Sequence, residues 1–322
     1  MDDVKLDPVD RGLIHALQID GRVPFARVAD VLDVSENTIA RRYRRLRSAG
    51  LVRVVGAVVG TRLGQIAWTV RLRCTPDAAA AIARALAART DTFWVHVMSG
   101  GTEISCVVQA ATDGEQDGLL LQKLSRTARV TSVTAHSMLQ GFASPRGWAG
   151  LRYLSNEQSE RLRPDIVVDV ETPVTLTAED EQLLDQLGRD GRASHKALSD
   201  TTGWSESRVK RRIEQLERLG VLSYELDIPS TVLGYQVEAR LWMSVRPSGL
   251  VSVATELSSH PEVSFAAVTT GPTNLVAAVI CRDSRDLYRY LTERIASLDE
   301  VHNVETAPVN RTIKRNGAIL AA

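Results

Sequence analysis

The 322-residue chain is short of the features that usually announce a chemistry. It has three cysteines, Cys74, Cys106 and Cys281. They are odd in number, far apart and without CxxC spacing, which excludes a disulfide framework and a thiolate zinc site and predicts buried apolar thiols. The histidines at 15, 96, 136, 195, 260 and 302 show no HxxxH or HxH spacing and no nearby cysteine, so no metal site is expected. There is no GxSxG elbow, phosphate loop or dinucleotide fingerprint, and no cofactor is implied. Net charge is absent too, with 39 basic residues against 39 acidic ones. That balance argues against a protein that coats nucleic acid indiscriminately. No long apolar run occurs either: the start MDDVKLDP is charged, and the Ala-rich stretch from Ala78 to Ala88 is broken by Arg84. Neither a signal peptide nor a membrane span is expected, and the chain reads as cytoplasmic.

What is present is a duplication. At 44% hydrophobic residues and this length, two or more domains are expected. Residues 6–52 match residues 176–222 without a gap, identical at 14 of 47 positions. The identities include Asp20-Gly21-Arg22 with Asp190-Gly191-Arg192, Ser35-Glu36 with Ser205-Glu206, and Arg41-Arg42 with Arg211-Arg212. Each copy reads as three helices. In the first, Leu13, Ile14 and Leu17 form an apolar stripe ending at the Asp20-Gly21 turn, Val28, Ala29 and Leu32 a second, and Ile39, Tyr43 and Leu46 a third. Ser35 and Ser205 are natural N-caps for the third helix, and Gly50 and Gly220 stop it.

With that third stripe buried, Arg41, Arg44, Arg45 and Arg47 fall mostly on the solvent side, and Arg42 at the border. Such a helix resembles the recognition helix of a helix-turn-helix module. Glu36, Asn37, Thr38 and Arg41 would face base edges and the later arginines phosphates. A charge run is usually just a solvated face, but these arginines lack the interleaved glutamates of an ordinary exposed helix. Residues 6–59 carry nine positive and six negative groups, whereas residues 176–222 carry eight and nine, with Glu214 and Glu217 among the basic residues. Weaker DNA contact is therefore expected of the second copy, through Ser205, Ser207, Arg208, Arg211 and Arg212.

After each module the pattern runs strand, helix, two strands, helix, strand, the ferredoxin-like βαββαβ order, with helices on one sheet face. The other face needs cover, and a copy of the same unit, within the chain or from another chain, would supply it. The expected class is α+β: two repeats of a winged, three-helix helix-turn-helix plus a ferredoxin-like domain. Expected boundaries are 1–60, 61–145, a linker at 146–175 with a short helix and a strand, 176–230 and 231–322.

This arrangement resembles the Lrp/AsnC family, the feast/famine transcriptional regulators. The resemblance is carried by "LDPVDRGLIHALQIDGR" leading to "SENTIARRYRRLRSAGLV", and by "VTTGPTNLVAAVICRD" leading to "VHNVETAPVNRTIK". The family normally carries one such pair of domains per chain and dimerises, so this chain looks like two members fused head to tail. The resemblance implies double-stranded DNA, a small amino-acid-like effector and a homo-oligomer, dimer or higher, as partners. It also implies an effector pocket near the turn between the second and third strands, with Thr134 and His136 as neighbours. There Gly100, Gly101, Thr102 and Glu103 offer backbone N–H groups for a carboxylate and an acid for an ammonium. In the second copy Gly271, Pro272, Thr273 and Asn274 lose the acid and one donor; a plain hairpin turn fits both stretches as well. The expected protein is a regulator and not an enzyme. Sirohaem decarboxylases resemble the same architecture, but "ARTDTFWVHV" and "SHPEVSFAAV" lack the His-Asn-Tyr run associated with that group. A co-regulator that assembles with a family member is the third reading.

Overall fold

The computed structural model describes residues 6–111, 129–169 and 171–319. The first half holds α1 (Pro8–Ile19), α2 (Phe25–Leu32), α3 (Glu36–Ser48), β1 (Arg53–Val58), β2 (Gln65–Cys74), α4 (Pro76–Ala87), β3 (Thr92–Met98), β4 (Glu103–Ala111) and β5 (Val130–Ala143). The helix expected at 117–128 lies outside the described residues. A short α5 (Asn156–Glu160) precedes the second half: α6 (Ala178–Arg189), α7 (His195–Thr202), α8 (Glu206–Arg218), β6 (Leu222–Asp227), β7 (Val237–Val245), α9 (Leu250–Ser259), β8 (Val263–Thr269) and β9 (Leu275–Cys281). It closes with α10 (Ser284–Arg289), a π-helical turn Tyr290–Ile295, β10 (Val301–Arg315) and β11 (Ala318–Ile319). The chain folds as two units, and each joins like with like: residues 1–63 with 151–233, and 64–150 with 234–322.

The first unit contains both three-helix modules. Capping boxes start α1 (Asp7 with Asp10) and α6 (Thr177 with Asp180), satisfying backbone donors that a helix start leaves open. The predicted stripes form the cores: Leu13, Leu17, Val28, Ile39 and Leu46 are buried, as are Leu183, Leu187, Leu198, Val209, Ile213 and Leu216. Full burial of each such side chain contributes roughly 2 kcal/mol. The modules join through an antiparallel ribbon of β1 and β6, with Arg53 opposite Asp227 and Val58 opposite Leu222. The repeated Asp-Gly-Arg triples form a reciprocal clasp. Arg22 donates to the carbonyls of Gly191 (2.8 Å) and Ala193 (3.1 Å), and Arg192 to those of Gly21 (2.7 Å) and Val23 (3.0 Å). Glycine is required at the turn because a Cβ on Gly21 would lie 2.5 Å from the Tyr224 Cβ.

Residues 151–163 run over the first module alone. Leu151, Leu154 and Leu162 are buried, and the backbone N–H groups of Tyr153 and Leu154 donate to His15 Nδ1 at 3.2 and 2.9 Å. The short helix expected here is α5. The strand expected over residues 166–170 does not form in its described part, residues 166–169, and Val167 is 86% exposed.

In the second unit each half builds a four-stranded antiparallel sheet in the ferredoxin-like order, β3-β4-β2-β5 and β8-β9-β7-β10. The outer cores are Val70, Leu72, Val95, Ile104 and Cys106 under α4, and Leu241, Met243, Val268, Ala277 and Val279 under α9. The final strand of each half then pairs with the other half: β5 with β8, and β10 with β3. Eight strands thus form a closed circuit, and the copy that covers each sheet comes from the same chain. Met98, Trp242, Ala267, Val276 and Ala307 pack between the sheets. All three cysteines are buried, as expected, and burial pushes the Cys106 and Cys281 thiols up to about 12.

Candidate nucleic-acid interface and effector turns

On α3 the Ser35 hydroxyl accepts the Thr38 N–H at 3.1 Å, and Glu36 and Asn37 are exposed in the first turn beside half-buried Thr38. The arginines divide by partner. Arg42, half-buried, pairs with Asp7 and with Asp10, and Arg45 reaches the same Asp10 at 2.5 Å. Asp10 is fully buried, so two guanidinium groups neutralise a carboxylate that burial would otherwise penalise. Arg47 crosses to Asp190 of the other module at 2.8 Å. Arg41 and Arg44 are exposed and pair with no carboxylate among the described residues; Arg44 only returns to the Ala40 carbonyl of its own helix. This corrects the expectation for Arg42 and Arg45: both guanidinium groups are turned to the start of α1 and hold α3 there.

On α8 the Ser205 hydroxyl accepts the Arg208 N–H, and Ser207 and Arg211 are exposed. Arg208 lies over the Trp204 ring, 4.2 Å from its centroid. Arg212 is corrected in the same way as Arg42, being bonded through two nitrogens to buried Asp180 at 2.7 and 2.6 Å. Gln215 stands where the first module has Arg45, and a cleft of about 470 Å³ opens between Trp204, Arg208, Arg211 and Gln215.

The first effector turn has Gly100 and Gly101 at φ of 67° and 88°, the left-handed region that suits glycine. The Thr102 hydroxyl bonds the Ser99 carbonyl at 2.7 Å. Glu103 does not face an open pocket: it is buried and held by Arg71 at 2.9 Å, with Arg73 at 3.4 Å, which corrects its expected role as a free acid. The Gly100 N–H donates instead to Asn310 Oδ1 at 2.7 Å, on the last strand of the second half. Thr134 and His136 are likewise misassigned to this turn. Because β5 pairs with β8, His136 lies against the second turn, so close that a Cβ on Gly271 would sit 2.2 Å from its Cε1. Thr134 stands opposite Arg71 on β2. At the second turn the Asn274 side chain bonds both backbone groups of Val245 at 2.9 Å, and the Thr273 carbonyl accepts the Thr269 hydroxyl.

Comparison with known proteins gives these turns and helices their context. The AsnC-type helix-turn-helix domain matches residues 6–47 and again 176–217, and the Lrp/AsnC ligand binding domain matches residues 238–319. An uncharacterised HTH-type transcriptional regulator of Pyrococcus abyssi is 30% identical over 135 residues, covering 42% of this chain and 85% of the relative. The chain belongs to the Lrp/AsnC family. The regulator FL11 of Pyrococcus horikoshii is also 30% identical, over 44% of this chain and 93% of its own length. One relative thus corresponds to about half of this Lrp/AsnC protein, as expected of a tandem fusion. Among solved structures, the sirohaem decarboxylase NirDL shares the fold with a TM-score of 0.64 at 14% identity, covering 96% of this chain and 93% of that one.

Two groups that sequence reasoning missed, Asn310 and Arg240, reach their sites from the opposite half. His96 is 1% exposed and bonded to Thr312 at 3.0 Å and to Arg240 at 2.7 Å. Burial, reinforced by Arg240, holds it well below the usual imidazole range. His96 and His136 lie on strands at opposite edges of the first half's sheet, as the βαββαβ order predicts. Among the described residues no group of three His, Cys, Asp or Glu is placed to hold a metal, and no helix is long and apolar enough to cross a membrane.

Proposed function

We propose that this Lrp/AsnC regulator binds DNA selectively through two unequal half-sites, with α3 the principal reader and α8 the lesser one. The observation that carries this reading is the division of the α3 arginines: Arg42 and Arg45 fix the helix, leaving Arg41 and Arg44 exposed without carboxylate partners among the described residues. Ser35, Glu36, Asn37, Thr38 and Arg41 enter a major groove and read base edges, while Arg44 meets phosphate. Ser205, Ser207, Arg208 and Arg211 do the same more weakly, since Glu214 and Glu217 share their helix. The differing readers, Asn37 against Ser207 and Thr38 against Arg208, make the operator an uneven pseudo-palindrome.

A small amino-acid-like effector occupies the first turn, where Gly100, Gly101 and Thr102 meet Asn310. The second turn, at Gly271, Thr273 and Asn274, is filled by His136 and is the poorer site. Effector binding shifts the balance between assemblies that differ in affinity for it.

Fluorescence anisotropy against the DNA upstream of the chain's own gene, titrated with salt, tests the proposal. Arg41→Ala is expected to weaken binding about tenfold or more, and Arg44→Ala to lower the salt slope by about one unit. Salt-insensitive binding, or no binding with or without a panel of amino acids, overturns it. The fold shared with NirDL supports a second reading, a tetrapyrrole enzyme. A Soret band shift when the protein is mixed with an iron porphyrin would favour that reading, although His96 is already committed to Thr312 and Arg240.

A further inference from the structure

The seam between the two sheets of the second unit is asymmetric where a symmetric pair would have to repeat itself. Leu72 stands opposite Ile104, and Met243 stands opposite Leu275. Arg71 and Trp242 are therefore counterparts in the two halves, and they touch, with the Arg71 guanidinium 4.2 Å from the Trp242 ring centroid. A residue meets its own counterpart only at the two-fold axis relating the halves. Arg71 also bonds Glu103 at 2.9 Å in its own half and Glu305 at 2.6 Å in the other. Further along the seam, His96 takes Thr312 and Arg240 from the second half, and Arg240 also pairs with Glu238 at 2.9 Å.

None of the contacts between the halves survives if two first halves are paired. Arg71 would face a second Arg71, and Glu305 would be replaced by its counterpart Thr134. His96 would stand opposite Gly141 rather than Thr312, and Thr69 would take the place of Arg240. Two half-buried arginines would then meet with one carboxylate partner fewer each, a repulsive arrangement. Two second halves fare no better, since Trp242 would face Trp242 while Arg240 and Glu305 lost their partners across the seam.

We propose that this seam is a heterotypic recognition surface: each half of the chain accepts the opposite half and rejects a second copy of itself. The partner it fits is a sheet presenting Trp242, Arg240 and Glu305 to one presenting Arg71, His96 and Glu103. A chain so built pairs internally and does not form mixed dimers through this face with relatives whose seam repeats one half.

A double-mutant cycle on the full chain tests this. Trp242→Arg places two arginines at the axis and Arg71→Trp places two indoles there; each is expected to lower the thermal midpoint by roughly 5 °C or more. The exchange Arg71→Trp with Trp242→Arg restores one cation and one indole beside Glu305 and is expected to recover at least half of that loss. A midpoint unmoved by Trp242→Arg, or an exchange no better than the two losses added, overturns the proposal. Cross-linking gives a second reading. Arg71→Cys treated with a bis-maleimide spanning about 10 Å, the separation of facing sheets, is expected to form no linked dimer above the wild-type background, whereas Arg71→Cys with Trp242→Cys forms a 71–242 link within one chain. Dimers linked through position 71 would show that first halves pair with one another and would sink the idea.

Discussion

The two helix-turn-helix modules share a backbone plan and divide over what their third helix does with charge. In the first, five arginines between Arg41 and Arg47 are sorted by three acids: Asp7 and Asp10 take Arg42, Asp10 also takes Arg45, Asp190 takes Arg47, and Arg41 and Arg44 stay outward. In the second, Arg212 alone serves Asp180, Gln215 replaces the second cation, and Glu214 adds an acid, while Glu217, half-buried and turned to Tyr224, stands where the first module has Arg47. The acid at the start of the first helix is common to both because it performs a structural task, orienting the third helix. What differs is the surplus charge left after that task. A basic helix is thus judged by the cations its own module does not consume.

That comparison is broken most directly on DNA. Arg41→Ala is expected to cost about tenfold or more in affinity and Arg211→Ala under threefold; equal losses in anisotropy titrations would mean that the modules read equally. Next in size is the buried acid. Asp10→Ala releases two guanidinium groups and is expected to lower unfolding free energy by about 2 kcal/mol in urea melts, Asp180→Ala by less because it releases one. Gly21→Ala drives a methyl against Tyr224 and should cost roughly 1–3 kcal/mol through the clasp. The smallest effect concerns pH. His15 Nδ1 accepts two backbone N–H groups, and burial together with Arg152 lowers its pKa from 6.5. Its stabilising contribution is full above that value and falls as pH drops through it toward the folded-state pKa. The protection of the Tyr153 and Leu154 amides, taken as exchange relative to the unfolded chain at the same pH, should fall below about pH 6.5, and His15→Ala should remove that pH dependence. The second module has Asp185 at this position and no strap over it, so its exchange should show no such step.

Much of this was legible in the chain. The stripes Ile39, Tyr43 and Leu46, the caps at Ser35 and Ser205, and the strand order follow from local periodicity and capping chemistry, which need no knowledge of distant partners. Arg42 was visible as a border residue, but its commitment to Asp7 and Asp10 required the packing of α3 on α1. Asp20-Gly21-Arg22 reads as a turn because its second task, gripping Gly191 and Ala193, lies 169 to 171 residues away. The effector turns were found and their surroundings were not. A single ferredoxin-like unit places its last strand beside its own first strand; here that strand also runs on beside the other half, so Asn310 and His136 exchange sites.

The closed circuit of eight strands also changes the order of assembly. Two separate chains must meet before such a circuit closes, so their pairing rises and falls with protein concentration. Here both halves are covalently joined, and closure is a first-order event with an effective concentration set by the intervening chain. Dilution into a cell holding few copies leaves the pair intact, and neither sheet waits with an open edge for a strand from elsewhere.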